Sequence, residues 1–433
     1  MKNRTSYIVI RNLIFASSIS TSYFSYSQSD VLKYAHQIVD TLASPSMHGR
    51  GYVMKGDSIA ADYIKKEFIK FGVKPIGKEF YQRFESPINI FPNEMFLEII
   101  NDSGEKKLIP GKDYIVSAAS SGLRGMYESI STLWFDSVSV SDKEKFKTLL
   151  SQNPSQKIIV VDTFSISKQY IKSKNWLSKA FGIIYLKNKL MFDISITKPT
   201  RFSVELLKNT IEKGDKIKGD IDQSYIAIGF QTQNVIGFIK GTQYPDSFVV
   251  ITAHYDHLGM MGKDVYFPGA NDNASGCAML LNLVRYYSQH PPKYSVAFIA
   301  FGAEEVGLIG SKYYIEHQLF NINQIKFLIN FDIVGTGDEG IKVVNATQHK
   351  KEFDKLVNIN EEKKYLPSVQ PRGKASISDH YFFEEAGVKT FYIYTLGGIK
   401  AYHDIYDRPE TLPLTKFEEL FNLVTDFTDY LQR

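Results

Sequence analysis

A single cysteine, Cys277, stands among 433 residues. One thiol excludes an intramolecular disulfide and any cysteine-rich metal site, so a metal held by this chain must be held by His, Asp and Glu. An excess of one charge is lacking too: 51 Lys and Arg face 47 Asp and Glu, a formal net charge of +4. With no long basic run, nothing marks a nucleic-acid binder. No segment past the N-terminus holds roughly 18 consecutive apolar residues, which argues against an integral membrane segment in the mature chain. No internal repeat is evident. Hydrophobic residues make up 43% of the chain, ordinary for a globular protein and too many for a disordered one. The length exceeds that at which single cores usually stop growing, so a main domain with a smaller companion is expected.

The first 27 residues read as an export leader. Lys2 and Arg4 supply positive charge, a moderately apolar stretch runs from Leu13 to Phe24, and small residues suit cleavage after Ser27. The expected location is therefore periplasmic, extracellular or cell-surface. Helical apolar spacing follows over Val31–Leu42 and again over Asp57–Phe71, where Gly72 ends it. From 111 to 224 the apolar pattern becomes patchy. This stretch reads as an inserted accessory domain, with strands at Lys157–Val161 and Gly182–Leu186 and a helix at Ser203–Lys213. Residues 28–110 and 225–433 are left as the catalytic domain. From Tyr225 apolar runs at 235–239, 248–253, 295–301, 327–331 and 390–394 alternate with helical stretches such as Ala274–Tyr287 and Ser311–Glu316. That alternation predicts an α/β fold: a mixed, mostly parallel central sheet flanked by helices, with functional loops at the carboxyl ends of the strands.

Ligand-type residues stand at those ends. FVVITA (248–253) runs into His254-Tyr255-Asp256-His257, SVAFIAF (295–301) into Gly302-Ala303-Glu304-Glu305, and KFLINF (326–331) into Asp332. TFYIYT (390–395) is followed by a loop reaching His403. Asp272 lies in PGANDNASG (268–276), just before a helix. His254 and His403 are neutral ligands, while Asp272, Glu305 and Asp332 carry three negative charges. Together with one hydroxide they balance two divalent ions, one carboxylate bridging the pair. Nitrogen and oxygen donors without thiolate suit zinc, with manganese or cobalt as substitutes. Each cluster alone has a plain reading: a surface turn at His254, a solvated acidic pair at Glu304-Glu305, a helix N-cap at Asp272. Their joint order along one rim is what carries the metal site.

These motifs resemble the co-catalytic zinc exopeptidases, a family that includes bacterial leucyl aminopeptidase, aminopeptidase Y and glutamate carboxypeptidase. The resemblance rests on HYDHLG (254–259), GANDNASG (269–276), FGAEEVGLIGS (301–311), INFDIVG (329–335), SDHYFF (378–383) and YHDIYDRPETL (402–412). HGRGYVMKGDSIAADYIKKEFIKFGVKP (48–75) and TQNVIGFIKGT (232–242) extend it. It implies that His254 and Asp332 hold one zinc, Glu305 and His403 the other, and that Asp272 bridges both. It further implies Glu304 as general base and Asp256 as acceptor from the second ring nitrogen of His254. A cis peptide bond is implied at Asp272–Asn273. Departures are Asn271, where many relatives have an acid, and Ile333, where many have Met. The insert loosely resembles a protease-associated domain, best at KIIVVD (157–162) and AFGIIYL (180–186).

The activity so implied is removal of N-terminal residues from peptides. A carboxypeptidase or dipeptidase on this scaffold predicts cationic residues for a substrate carboxylate, for which Arg372, Lys374 and Lys400 are available. A glutaminyl cyclase predicts one zinc. A non-catalytic binding homologue predicts missing ligands, and none is missing. His257 is expected to support the loop after His254, Cys277 to pack, and Ser378-Asp379-His380 to start a helix, since adjacent residues cannot assemble a hydrolase triad. His36, His290, His317 and His349 are expected at the surface or in packing.

Overall fold

Near-continuous apolar runs need cover on both faces, and here four of them form the buried centre of a nine-stranded sheet. The computed structural model describes residues 29–162 and 167–433, so the expected leader lies outside the described residues. Tyr244–His254, Tyr294–Phe301, Ile325–Phe331 and Thr390–Leu396 run parallel, with 244–254 between 294–301 and 325–331. Gln231–Ile239 pairs antiparallel with 294–301 on one side, and Gly340–Val344 antiparallel with 390–396 on the other. The sheet is thus mixed with a parallel centre.

Alternation then sorts the side chains. Val249, Ile251 and Ala253 pack against the helices Asp30–Leu42, Gly56–Lys70, Gly276–Gln289 and Phe417–Leu431. Val250, Ala297 and Leu328 face the other way, onto Tyr314 and Phe383 of the helices Ile309–Glu316 and His380–Glu385. The first helix starts where Ser29 Oγ accepts from the Leu32 N–H at 3.2 Å. The second is followed by Gly72, whose φ of +73° suits glycine.

The chain leaves this sheet after Tyr81–Glu85 and rejoins it at Gln231. Between them lies a second, eight-stranded sheet whose inner strands Ile158–Asp162 and Gly182–Lys187 are parallel and almost wholly apolar. It also takes in the hairpin Met95–Asn101 with Gly104–Lys107, residues that the sequence reading left with the catalytic part. The helix expected at Ser203–Lys213 is instead the strand Phe202–Leu207. Phe202, Val204 and Leu206 alternate inward, and the strand is laddered on one side to Gly182–Lys187 and on the other to Tyr114–Val116. Period-two burial between two partners overrides local helix propensity. Leu258, Met261 and Phe267 of the main body share a core with this second sheet. Among the described residues no helix is long and apolar enough to cross a membrane.

Candidate metal centre

Four of the candidates sit at or just past the end of a strand, and two sit in loops. His254 is the last residue of Tyr244–His254, Glu304 and Glu305 follow Phe301, and Asp332 follows Phe331. Asp272 lies in the turn before Gly276–Gln289, and His403 in the loop beyond Leu396. Parallel pairing brings the strand ends to one rim, and the two loops fold over it.

The geometry divides them into two sets. His254 Nε2 lies 3.3 Å from Asp332 Oδ1 and 3.4 Å from Asp272 Oδ1. His403 Nε2 lies 3.3 Å from Asp272 Oδ2 and 3.2 Å from Glu305 Oε2. Asp272 therefore gives one oxygen to each set. Donor atoms of His254, Asp272 and Glu305 fall within 4.8 Å of one another, as do those of His254, Glu304 and Asp332.

Both imidazoles present the right nitrogen. His254 Nδ1 lies 3.1 Å from the Asp256 carbonyl oxygen, and His403 Nδ1 lies 3.0 Å from Asp193 Oδ1. A proton on each Nδ1 leaves each Nε2 lone pair facing two carboxylate oxygens. The role expected of the Asp256 carboxylate falls to its carbonyl: Oδ1 stays 3.8 Å from the His254 ring. The carboxylate is drawn instead to the Glu304 and Glu305 N–H groups, at 3.1 and 3.2 Å, and so fixes the turn that carries both glutamates.

Electrostatics give the fit test for cations. Burial opposes an imidazolium at His254, but Glu304 and Asp332 outweigh it and hold the pKa well above the ordinary value. His403 is raised likewise by Glu305, Asp193 and Asp272 against its own burial. Burial together with Glu305 and Asp332 holds Glu304 well above the carboxylate range. Glu305, although buried and beside Asp272, is drawn down to about 2 by His403 and His257. The cluster carries more negative charge than its histidines can balance, and its donors are nitrogen and oxygen only. Such a set fits divalent zinc.

Several further residues support the candidate ligands. Arg50 is fully buried. Its guanidinium donates to the carbonyls of Tyr255, Leu42, Pro268 and Gly269 at 2.7–2.9 Å and of Asp272 at 3.2 Å. Ser378 Oγ donates to Asp332 Oδ2 at 2.8 Å, and His257 Nδ1 meets Glu305 Oε1 at 2.7 Å. Gly269 has a φ of +58°, and a Cβ there would collide with the Asp272 carbonyl and the His257 ring. The Asp272–Asn273 peptide bond is cis.

With this geometry in place, comparison is informative: the profile of Peptidase family M28 matches residues 234–428. The match takes in every candidate ligand and spans a little under half of the chain. Aminopeptidase YwaD of Bacillus subtilis (strain 168) is 34% identical over 164 residues, which cover 36% of this chain and 34% of that protein. A probable zinc metalloprotease of Pyricularia oryzae is 33% identical over 123 residues, 28% of this chain and 24% of the relative. The matched part thus spans about a third or less of these curated relatives. In fold the likeness is wider. A zinc aminopeptidase from Bacillus subtilis superposes with a TM-score of 0.67 at 21% identity, covering 92% of this chain and 94% of that one. The aminopeptidase of Aneurinibacillus sp. strain AM-1 gives 0.59 at 20% identity, covering 93% and 94%. These likenesses show that the shared fold extends across both sheets.

The remaining candidates fall outside this cluster. Cys277 is buried in the core, its Sγ 3.3 Å from the His254 carbonyl, and burial pushes its thiol up to about 12, far from nucleophile range. Arg372 donates to the Tyr394 hydroxyl at 2.9 Å, and Lys374 pairs with Glu385. His349 packs between Phe327 and Phe391 and meets Glu384 at 2.9 Å.

Proposed function

We propose that this protein is a two-zinc exopeptidase that removes N-terminal residues from peptides. The observation that carries the reading is the split of Asp272, whose two carboxylate oxygens face two separate histidine-carboxylate sets. In this reading His254, Asp332 and Asp272 hold one ion, and His403, Glu305 and Asp272 the other. Zinc bound there would supply Lewis acidity, polarising a scissile carbonyl and acidifying the attacking water.

The chain's own residues divide the remaining work. Glu304 is held well above the carboxylate range, so it can take a proton from water and return it to the leaving amine nitrogen. Glu305, held near 2, stays an anionic ligand. Consecutive glutamates can take separate roles because Asp256 ties down both of their N–H groups, one on each oxygen. Arg372 and Lys374 are already engaged within the protein, which weighs against a carboxypeptidase pocket built on them. Export through cleavage after Ser27 is part of the same reading, and N-terminal sequencing of the mature protein tests it.

The function is tested by a panel of aminoacyl-anilides, acidic dipeptides and N-terminal glutamine peptides, with zinc counted per chain. Anilide hydrolysis lost to a chelator and regained with zinc is the expected result. Cleavage of acidic dipeptides alone, or glutamine cyclisation with one zinc, would replace the aminopeptidase assignment.

A further inference from the structure

We infer that the inserted segment is part of the metal centre: Asp193 orients His403, so one of the two ion sites depends on the insert and the other does not. The inference rests on reading His403 as a ligand, and deepens it by giving the insert a task.

His403 needs outside support. Unlike His254, it does not end a strand, and its φ of +54° is a left-handed conformation that non-glycine residues seldom hold without tertiary contacts. Those contacts come from residues 189–193. The Phe192 N–H donates to the His403 carbonyl at 2.8 Å. Lys189 Nζ donates to the Lys400 carbonyl at 2.9 Å and the Tyr402 carbonyl at 3.3 Å, and pairs with Asp404 at 3.0 Å. Asp193 Oδ1 takes the ring itself, 3.0 Å from Nδ1. The segment is anchored in turn by Phe192, which stacks on Phe267 with ring centroids 4.6 Å apart.

The two histidines are therefore supported differently. His254 Nδ1 is served by the Asp256 carbonyl, two residues along its own chain. His403 Nδ1 is served by a carboxylate from the second body, 210 residues away in sequence. A carboxylate on Nδ1 fixes the tautomer and raises the basicity of Nε2, the nitrogen facing Asp272 and Glu305. Asp193 is a positioning residue: it meets the imidazole on the side away from both of those carboxylates. Its side chain is 66% exposed, so water offers partial replacement.

The test is zinc titration of the full chain against a chromophoric chelator, comparing wild type with Asp193→Ala, Asp193→Glu and His403→Ala. The expected result for Asp193→Ala is one zinc bound as in wild type and one weakened roughly 10–100-fold. Asp193→Glu restores part of the loss, which a merely structural defect would not. Two zincs held by Asp193→Ala as tightly as by wild type would overturn the inference, and so would equal weakening of both. Wild type that takes fewer than two zincs, or a His403→Ala titration identical to wild type, would strike the metal reading itself and this inference with it.

Discussion

Arg50 and Asp407 grip the Asp272 loop through complementary groups: the guanidinium takes its carbonyls and the carboxylate takes its amides. Asp407 accepts from the Asn271 N–H at 2.8 Å and the Asp272 N–H at 3.0 Å, while Arg50 donates to Pro268, Gly269 and Asp272. Burying a guanidinium is costly, and here every donor ends on a backbone carbonyl. Arg50→Met should therefore destabilise the fold by about 3–5 kcal/mol, the scale for removing one member of a buried charged network. Urea denaturation measures it, and a loss below 1 kcal/mol would mean that the loop holds itself.

Asp57, which is none of the candidate ligands, predicts a pH dependence of stability. Burial pushes its carboxyl from 3.8 up to about 6, and among the described residues Oδ2 has no partner. The folded state thus keeps a proton that the unfolded chain releases. Nothing is lost below about pH 4, stability falls as pH rises through the window to 6, and above it the cost levels at about 3 kcal/mol. Asp57→Asn should stabilise the protein at pH 8 by up to that amount, the gain shrinking toward pH 4. Denaturation midpoints at the two pH values decide it: an equal gain at both would rule out titration of Asp57 as the cause.

Much of the candidate centre was legible because three of its candidate ligands stand at or just past the ends of apolar strands. A run such as FVVITA must be buried, burial forces parallel pairing, and parallel pairing gathers His254, Glu305 and Asp332 at one rim. The supports were harder to read. Arg50 and Asp407 act on backbone groups, which have no residue type to match. Asp193 sits in a patchy stretch, and its importance exists only once the second sheet has folded against His403. The strand 202–207 was missed because six residues of alternation are weak evidence until their two partner strands are known.

Glu304→Gln separates chemistry from metal binding. The amide keeps shape and size but cannot carry a proton, so kcat should fall by roughly 10²–10⁴-fold. Zinc content should stay at the wild-type count, since His254, Asp332, His403, Glu305 and Asp272 are untouched. Metal analysis alongside steady-state kinetics checks both halves. A variant with wild-type kcat would remove Glu304 from proton transfer.

Ser378 offers the mirror image of Asp193. Its hydroxyl donates to Asp332 Oδ2 at 2.8 Å and accepts from Asn330 Nδ2 at 2.8 Å, so it aims the carboxylate that shares a set with His254. Ser378→Ala leaves that oxygen without its donor and lets the carboxylate turn. The site of His254 and Asp332 should then weaken by roughly 10-fold while that of His403 and Glu305 keeps its affinity. In a chelator competition, Ser378→Ala and Asp193→Ala should each lose affinity at one ion, and the double variant at both. If the double variant lost no more than either single one, the two substitutions would be acting on one shared site, and the independence of the two sets would fail.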